Sequence, residues 1–183
     1  SGSLAIRAAV SANVNITFKI LYNDAVAMTG GQKAIGGATP WAISKQLSAE
    51  GAKKTFVVSD EPEQFQETRL FADGVEIYHR DDLLKVQKEV RIIEGVTAII
   101  YVQTCATELR RRRKRGLVAD REIKMFINPD VCEGCGDCAE KSNCVAVKPF
   151  DHFDGTKRQI DQSVCNKDYS CTKGFCPSFM GVT

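Results

Sequence analysis

Apolar positions in the first hundred residues switch between the 3.6-residue spacing of a helix and the unbroken runs of a buried strand. Leu4, Ile6, Ala9 and Val10 share one helical face, and Ile16, Phe18, Ile20 and Leu21 make an apolar strand. The order then repeats. Thr39 is placed as an N-cap with Pro40 at the first helical position, Trp41, Ile43 and Leu47 follow on one face, and Gly51 stops the helix. Residues 55–58 read as a buried strand, residues 60–66, interrupted by Pro62, as a surface loop, and residues 75–78 as a further short strand. Residues 81–90 open with acidic side chains suited to a helix N-terminus, and residues 96–102 are again apolar. Helices between continuous apolar strands predict parallel βαβ units in an open α/β sheet, where ligands bind beyond the carboxyl ends of the strands.

After residue 102 the pattern changes. Cys105 precedes a helix that closes in the basic run 110–115 and Gly116, residues 117–123 read as a linker, and from Lys124 short segments alternate with turns and cysteines. A segment under about 70 residues needs a staple to hold so small a core. The eight cysteines supply a candidate, because seven fall between Cys132 and Cys176 and only Cys105 lies outside. Charge divides the chain at the same place: residues 1–116 carry 17 Lys and Arg against 13 Asp and Glu, and residues 117–183 carry 8 against 10. The expected organisation is therefore an α/β domain over 1–116, a linker over 117–123 and a small α+β domain over 124–183.

Composition narrows the class further. A net charge of +2 argues for neither nucleic acid nor a membrane surface, and no apolar run approaches the roughly 20 residues that cross a bilayer. With 43% hydrophobic and 26% charged residues the chain can bury a core. The opening SGSLAIRAAV has no secretory pattern, so the expected compartment is a reducing cytoplasm, where clustered cysteines hold metals more often than they form disulfides.

The run CEGCGDC sets Cys132, Cys135 and Cys138 at two-residue spacings, the loop that wraps three corners of a 4Fe–4S cluster; Gly134 and Gly136 let the backbone pass close to the sulfides. Cys144 follows. Residues 160–164 (IDQSV) then repeat the pattern of residues 127–131 (INPDV), and CNKDYSC aligns Cys165 and Cys171 with the outer cysteines and Asp168 with the middle one. Cys176 precedes Pro177, as the last ligand of a bacterial-type ferredoxin does. The two halves read as an internal duplication with one ligand altered. Because the fourth cysteine of each ferredoxin half ligates the other half's cluster, one cluster would take Cys132, Cys135, Cys138 and Cys176, and the other Cys144, Cys165, Cys171 and Asp168. Oxygen is a harder and weaker ligand for iron, which leaves that corner labile or the cluster a 3Fe–4S one. Zinc is the plain structural alternative, disfavoured by the third cysteine and the Cys-Pro end; a disulfide scaffold is lower still.

A second motif, NDAVAMTGGQ over residues 23–32, follows the first strand directly. A polar side chain at a strand end before a small-residue turn suits a cation and phosphate site, and equally an ordinary glycine turn. Taken together, LYNDAVAMTGGQ, QTC followed by RRRRKRG, VCEGCGDC, and CNKDYSC with KGFCPSF resemble the indolepyruvate ferredoxin oxidoreductase family of 2-oxoacid:ferredoxin oxidoreductases over nearly the whole chain.

The resemblance implies the end of a thiamine diphosphate-binding domain followed by a ferredoxin-like domain. Asn23 would coordinate Mg²⁺ through its side chain and Ala25 through its carbonyl, while Thr29, Gly30, Gly31 and Gln32 would line the cofactor pocket. The family's GDG motif is not in the chain; in relatives it lies just upstream of a segment resembling SGSLAIRAA, so Ser1–Ser3 are expected to be native and the chain to start just after it. The pyrimidine-binding domain is also missing, and the chain alone is expected not to turn over.

For the complete enzyme the resemblance implies oxidative decarboxylation of an arylpyruvate to acyl-CoA, with electrons passing through 4Fe–4S clusters to an external ferredoxin. Its partners would be coenzyme A, the 2-oxoacid, the missing domains and a second copy of itself. Cys105 reads either as an orphaned ligand of a further cluster or as a buried structural cysteine. The run Arg110–Arg115 reads as a solvated helix end, or as a docking site for acidic ferredoxin or the coenzyme A phosphates. His79 and His152 carry no metal-ligand pattern; Lys141, Lys148, Lys157 and Lys173 read as solvated charges around the clusters. The rival readings are a ferredoxin-like electron carrier with a non-catalytic α/β docking module and a zinc-stabilised interaction module.

Overall fold

A computed structural model describes residues 2–23, 36, 38–65 and 67–183. The chain forms two compact units, Ser1–Glu108 and Leu109–Thr183; helix α4 (Ala106–Lys114) spans the division.

The first unit is a four-stranded sheet made of β1 (Ile16–Tyr22), β2 (Lys54–Ser59), β3 (Glu76–His79) and β4 (Val96–Val102), in the order β1-β4-β2-β3 with every pair parallel. The expected parallel sheet is therefore present. Its two central strands are buried on both faces, which is why they read as unbroken apolar runs. Val57, Ala98 and Ile100 pack on one face with Ile6 of α1 (Gly2–Ser11) and Leu47 of α2 (Pro40–Ala49). Phe56, Val58 and Ile99 pack on the other with Val86 and Val90 of α3 (Leu83–Val90). Fully burying each of the Val, Leu, Ile and Phe side chains contributes about 1.5–3 kcal/mol.

Local signals act as the residues suggest at α2, where Thr39 Oγ1 accepts the Ala42 N–H at 3.3 Å and Pro40 opens the helix. Two places differ from the pattern reading. Residues Pro62–Phe65 form a 3-10 turn that turns Phe65 inward, 6% exposed and edge-on to Phe71 at 5.7 Å, because burying an aromatic ring outweighs the polarity of its neighbours. Helix α3 starts at Leu83 after a 3-10 turn over Arg80–Asp82, where His79 Nδ1 accepts the Asp81 N–H at 3.2 Å.

The second unit is α+β, as expected. Strands β5 (Lys124–Ile127) and β8 (Phe179–Val182) pair antiparallel, as do β6 (Val147–His152) and β7 (Gly155–Ile160), with a short helix α5 (Asp137–Ser142) after the first cysteine loop. Each half thus runs strand, cysteine loop, helical turn, strand. The first strand of each half also pairs with the last strand of the other. Its small core is Ile127, Ala146, Val147 and Ile160 together with Cys132 and Cys171, so thiols make up much of what is buried.

Candidate metal centre

The duplication seen in the residues is repeated in the backbone. The Cys132 N–H bonds to the Asn128 carbonyl at 3.0 Å and the Cys165 N–H to the Asp161 carbonyl at 3.1 Å. Asn128 Oδ1 accepts the Asp130 N–H at 3.0 Å, and Asp161 Oδ1 accepts the Ser163 N–H at 2.9 Å. Two residues after each first cysteine the chain turns left-handed, at Gly134 (φ +70°) and Lys167 (φ +54°), and it does so again at Gly136 (φ +88°) and Tyr169 (φ +59°). These turns aim amides at sulfur: the Gly134 N–H donates to Cys132 Sγ and the Lys167 N–H to Cys165 Sγ, both at 3.4 Å. Donors of this kind stabilise a thiolate or a metal-bound sulfur.

Cys132, Cys135, Cys138 and Cys176 line one pocket of about 320 Å³ with Val131, Arg158 and Phe175. Cys171 borders it as well. Burial pushes the Cys138 thiol up, and the neighbouring Cys132 and Cys135 push in the same direction. In the second half burial drives Cys171 up to about 11, with Cys144 and Cys165 adding to it and Asp168 contributing less. Cys144, Cys165 and Asp168 are thus near enough to Cys171 to act on its thiol electrostatically. The Asp168 carboxylate accepts the Ser170 N–H at 3.2 Å and the Ser170 hydroxyl at 2.9 Å. The Cys176 thiol lies 2.9 Å from the Ser178 hydroxyl.

Among the described residues no three His, Cys, Asp or Glu side chains converge on a single-ion site. A tetrahedral zinc with bonds of about 2.3 Å draws its sulfurs to about 3.8 Å from one another. Thiols of Cys132, Cys135, Cys138 and Cys176 lining one pocket, with the Gly134 amide on Cys132 Sγ, fit a multi-iron cluster that sets one metal under each sulfur.

Three features escaped the sequence reading. Gly134 makes its close approach to protein: a Cβ there would lie 2.4 Å from the Thr156 carbonyl oxygen of β7. Lys157, expected as a solvated charge, is buried at 9% exposure and paired with Asp154 at 3.1 Å, because its strand position faces inward. Arg158, unremarked in sequence, lines the first cysteine pocket, and only its alignment with Met125 in the other half could have drawn notice. The two histidines and Lys148 are satisfied locally. His152 sits between Asp130 and Asp154, and Lys148 pairs with Asp161.

In the basic run, Arg110 Nη1 donates to the Val164 carbonyl at 2.8 Å and to Asn166 Oδ1 at 2.9 Å, and Arg113 donates to the Asn166 carbonyl. These two arginines grip the loop that carries Cys165, where a solvated helix end was expected. In the first unit, Asn23 directly follows β1, and the Gln103 N–H after β4 bonds to the Tyr22 carbonyl at 3.0 Å. Since Tyr22 is in register with Val102, Asn23 and Cys105 both lie beyond the same carboxyl edge of the sheet. The other expected cofactor residues, Ala25, Thr29, Gly30, Gly31 and Gln32, lie outside the described residues.

The chain is 25% identical over 179 residues to the indolepyruvate oxidoreductase subunit IorA of Thermococcus kodakarensis, covering 97% of this chain and 25% of that one. It is 26% identical over 184 residues to the subunit of the same name from Pyrococcus abyssi, with the same coverage. With that of Archaeoglobus fulgidus it shares 30% identity over 108 residues, 59% of this chain and 16% of that one. It therefore spans about a quarter of the length of the first two relatives. No family model matches the chain, and no solved structure does.

Proposed function

We propose, from this kinship with indolepyruvate oxidoreductase subunits, that the chain is a part of an indolepyruvate ferredoxin oxidoreductase whose second unit holds two iron–sulfur clusters. One would sit on Cys132, Cys135, Cys138 and Cys176, the other on Cys144, Cys165, Cys171 and Asp168. The observation that carries this reading is the repeated cysteine loop, with its left-handed turns at equivalent positions and its two N–H···S bonds.

Thiamine diphosphate with Mg²⁺ would supply the decarboxylation chemistry in the complete enzyme, and the clusters the one-electron chemistry. The chain's own residues bind and orient. Asn23 and Ala25 would hold the Mg²⁺, Thr29, Gly30, Gly31 and Gln32 would line the thiamine pocket, and the amides of Gly134 and Lys167 would donate to cluster sulfurs. An arylpyruvate and coenzyme A would be the substrates, external ferredoxin the electron acceptor, and the missing domains and a second copy the assembly partners. The position of Asn23 at the carboxyl edge of a parallel sheet supports the first part.

Metal content of protein purified without oxygen tests the cluster reading. The expected result is a brown protein with about seven or eight irons per chain and a similar amount of acid-labile sulfide. A colourless, zinc-loaded protein overturns it.

A further inference from the structure

Arg158 is the one cationic side chain among the described residues lining the pocket of Cys132, Cys135, Cys138 and Cys176. It stands on β7, the strand along which the first cysteine loop runs. Thr156 lies behind Gly134, and a carbon added to Gly136 would come to 3.3 Å from Arg158 Nη2. The glycine backbone leaves the guanidinium the space it occupies. Its Nε is closed off from solvent and has no hydrogen-bond partner. An unpaired buried N–H is costly, more so on a charged group, and a guanidinium cannot escape by losing its proton. The Nε–H therefore calls for an acceptor that the protein's own atoms do not provide, even though Glu133 and Asp137 also line the pocket.

The matching strand position in the other half carries no charge, although Cys165 there shares a pocket with Arg110, Arg113, Lys114, Lys124 and Lys167, and Arg113 Nε is likewise buried without a hydrogen-bond partner. The duplication that matches Ile127 with Ile160 matches Met125 with Arg158, so the strand position corresponding to Arg158 is occupied by an uncharged thioether. Asp168 adds a further difference, since it offers a hard oxygen where the first group has Cys135.

We propose that Arg158 donates its Nε–H to a sulfur of the cluster on Cys132, Cys135, Cys138 and Cys176 and raises that cluster's reduction potential. This rests on the cluster reading above. A cluster that takes one electron from a reductant gains one negative charge, so a hydrogen bond to sulfur and a nearby fixed cation stabilise the reduced form more than the oxidised one. Arg158 acts on that cluster as a positioning and potential-setting residue.

The test is an anaerobic redox titration of the complete enzyme with dithionite, followed by EPR, on wild type, Arg158→Gln and Arg158→Lys, with iron counted in each. Cys132→Ser and Cys165→Ser assign the two signals. Expected for Arg158→Gln is full iron content and, for the first cluster alone, about a tenfold fall in the equilibrium constant for one-electron reduction, 59 mV lower. Arg158→Lys, which keeps a charge but lacks the Nε–H, should fall in between. Unmoved midpoints with both clusters present overturn the proposal, as does an equal shift of both. If Arg158→Gln loses iron, the lysine variant decides: a first-cluster midpoint at or above wild type, or loss of that cluster, overturns the proposal. A wild-type enzyme without iron–sulfur signals instead overturns the cluster reading itself.

Discussion

One carbon added to Gly134 would meet the Thr156 carbonyl oxygen at 2.4 Å, at a φ of +70°. The equivalent residue of the second half, Lys167, takes a φ of +54° with a side chain in place, and its ammonium reaches Asp120 and the Arg121 carbonyl. The same turn is thus a steric requirement in one half and merely a strained conformation in the other. Left-handed φ costs a non-glycine residue about 1–2 kcal/mol and overpacking about 1–3 kcal/mol more. Gly134→Ala should therefore destabilise the cluster-loaded protein by about 3 kcal/mol and shed iron from the first site. Lys167→Gly relieves strain while losing an ion pair and should change stability by less than about 1 kcal/mol with iron retained. Thermal denaturation with an iron count on each variant checks both.

At the scale of elements, neighbouring strands decide which polar side chains find each other. Lys54 on β2 pairs with Glu76 on β3, and the Tyr78 hydroxyl, two residues along the same strand, donates to Glu76 Oε2 at 2.8 Å. That hydrogen bond is the main reason the Tyr78 hydroxyl is pushed up to about 12. The folded pKa lies above the ordinary 10.0, so the contribution to stability is fully present below about pH 10 and is lost as pH rises towards 12. In an ultraviolet titration of tyrosinate, Glu76→Gln should move one of the four tyrosines back towards its ordinary range and leave the late titration of half-buried Tyr101 in place. Helix α4 shows the same dependence on neighbours. Its arginines look like a solvated run in sequence, yet Arg110 and Arg113 reach the carbonyls of residues 164 and 166 and hold the second cysteine loop.

For the whole molecule the proposed division of labour places thiamine chemistry in the first unit and electron handling in the second. Calorimetry on the complete protein with Mg²⁺ should give saturable thiamine diphosphate binding. Asn23→Ala should weaken it at least tenfold, about 1.4 kcal/mol. A complete protein that carries its clusters and binds no thiamine would favour the electron carrier with a docking module.

Much of this was legible from the residues because the signals are local. Central strands buried on both faces show as runs such as residues 55–58 and 96–102, a cap such as Thr39 needs only the next three residues, and the cysteine loops carry their spacing in a few positions. The pairing of halves was legible too, since residues 127–131 and 160–164 repeat one pattern. Strand order was not: that β4 lies between β1 and β2 depends on which apolar edges meet, a choice made over dozens of residues. Nor was the fate of single residues in polar stretches. Phe65, Lys157, Arg110 and Arg158 are read as exposed or ordinary from their neighbours in sequence, while their surroundings come from segments far along the chain. Sequence alone therefore determined which main elements form and where along the chain the thiols cluster. Tertiary structure decided which thiols share a pocket and that a partly buried guanidinium stands beside them, because burial and electrostatics depend on distance in space.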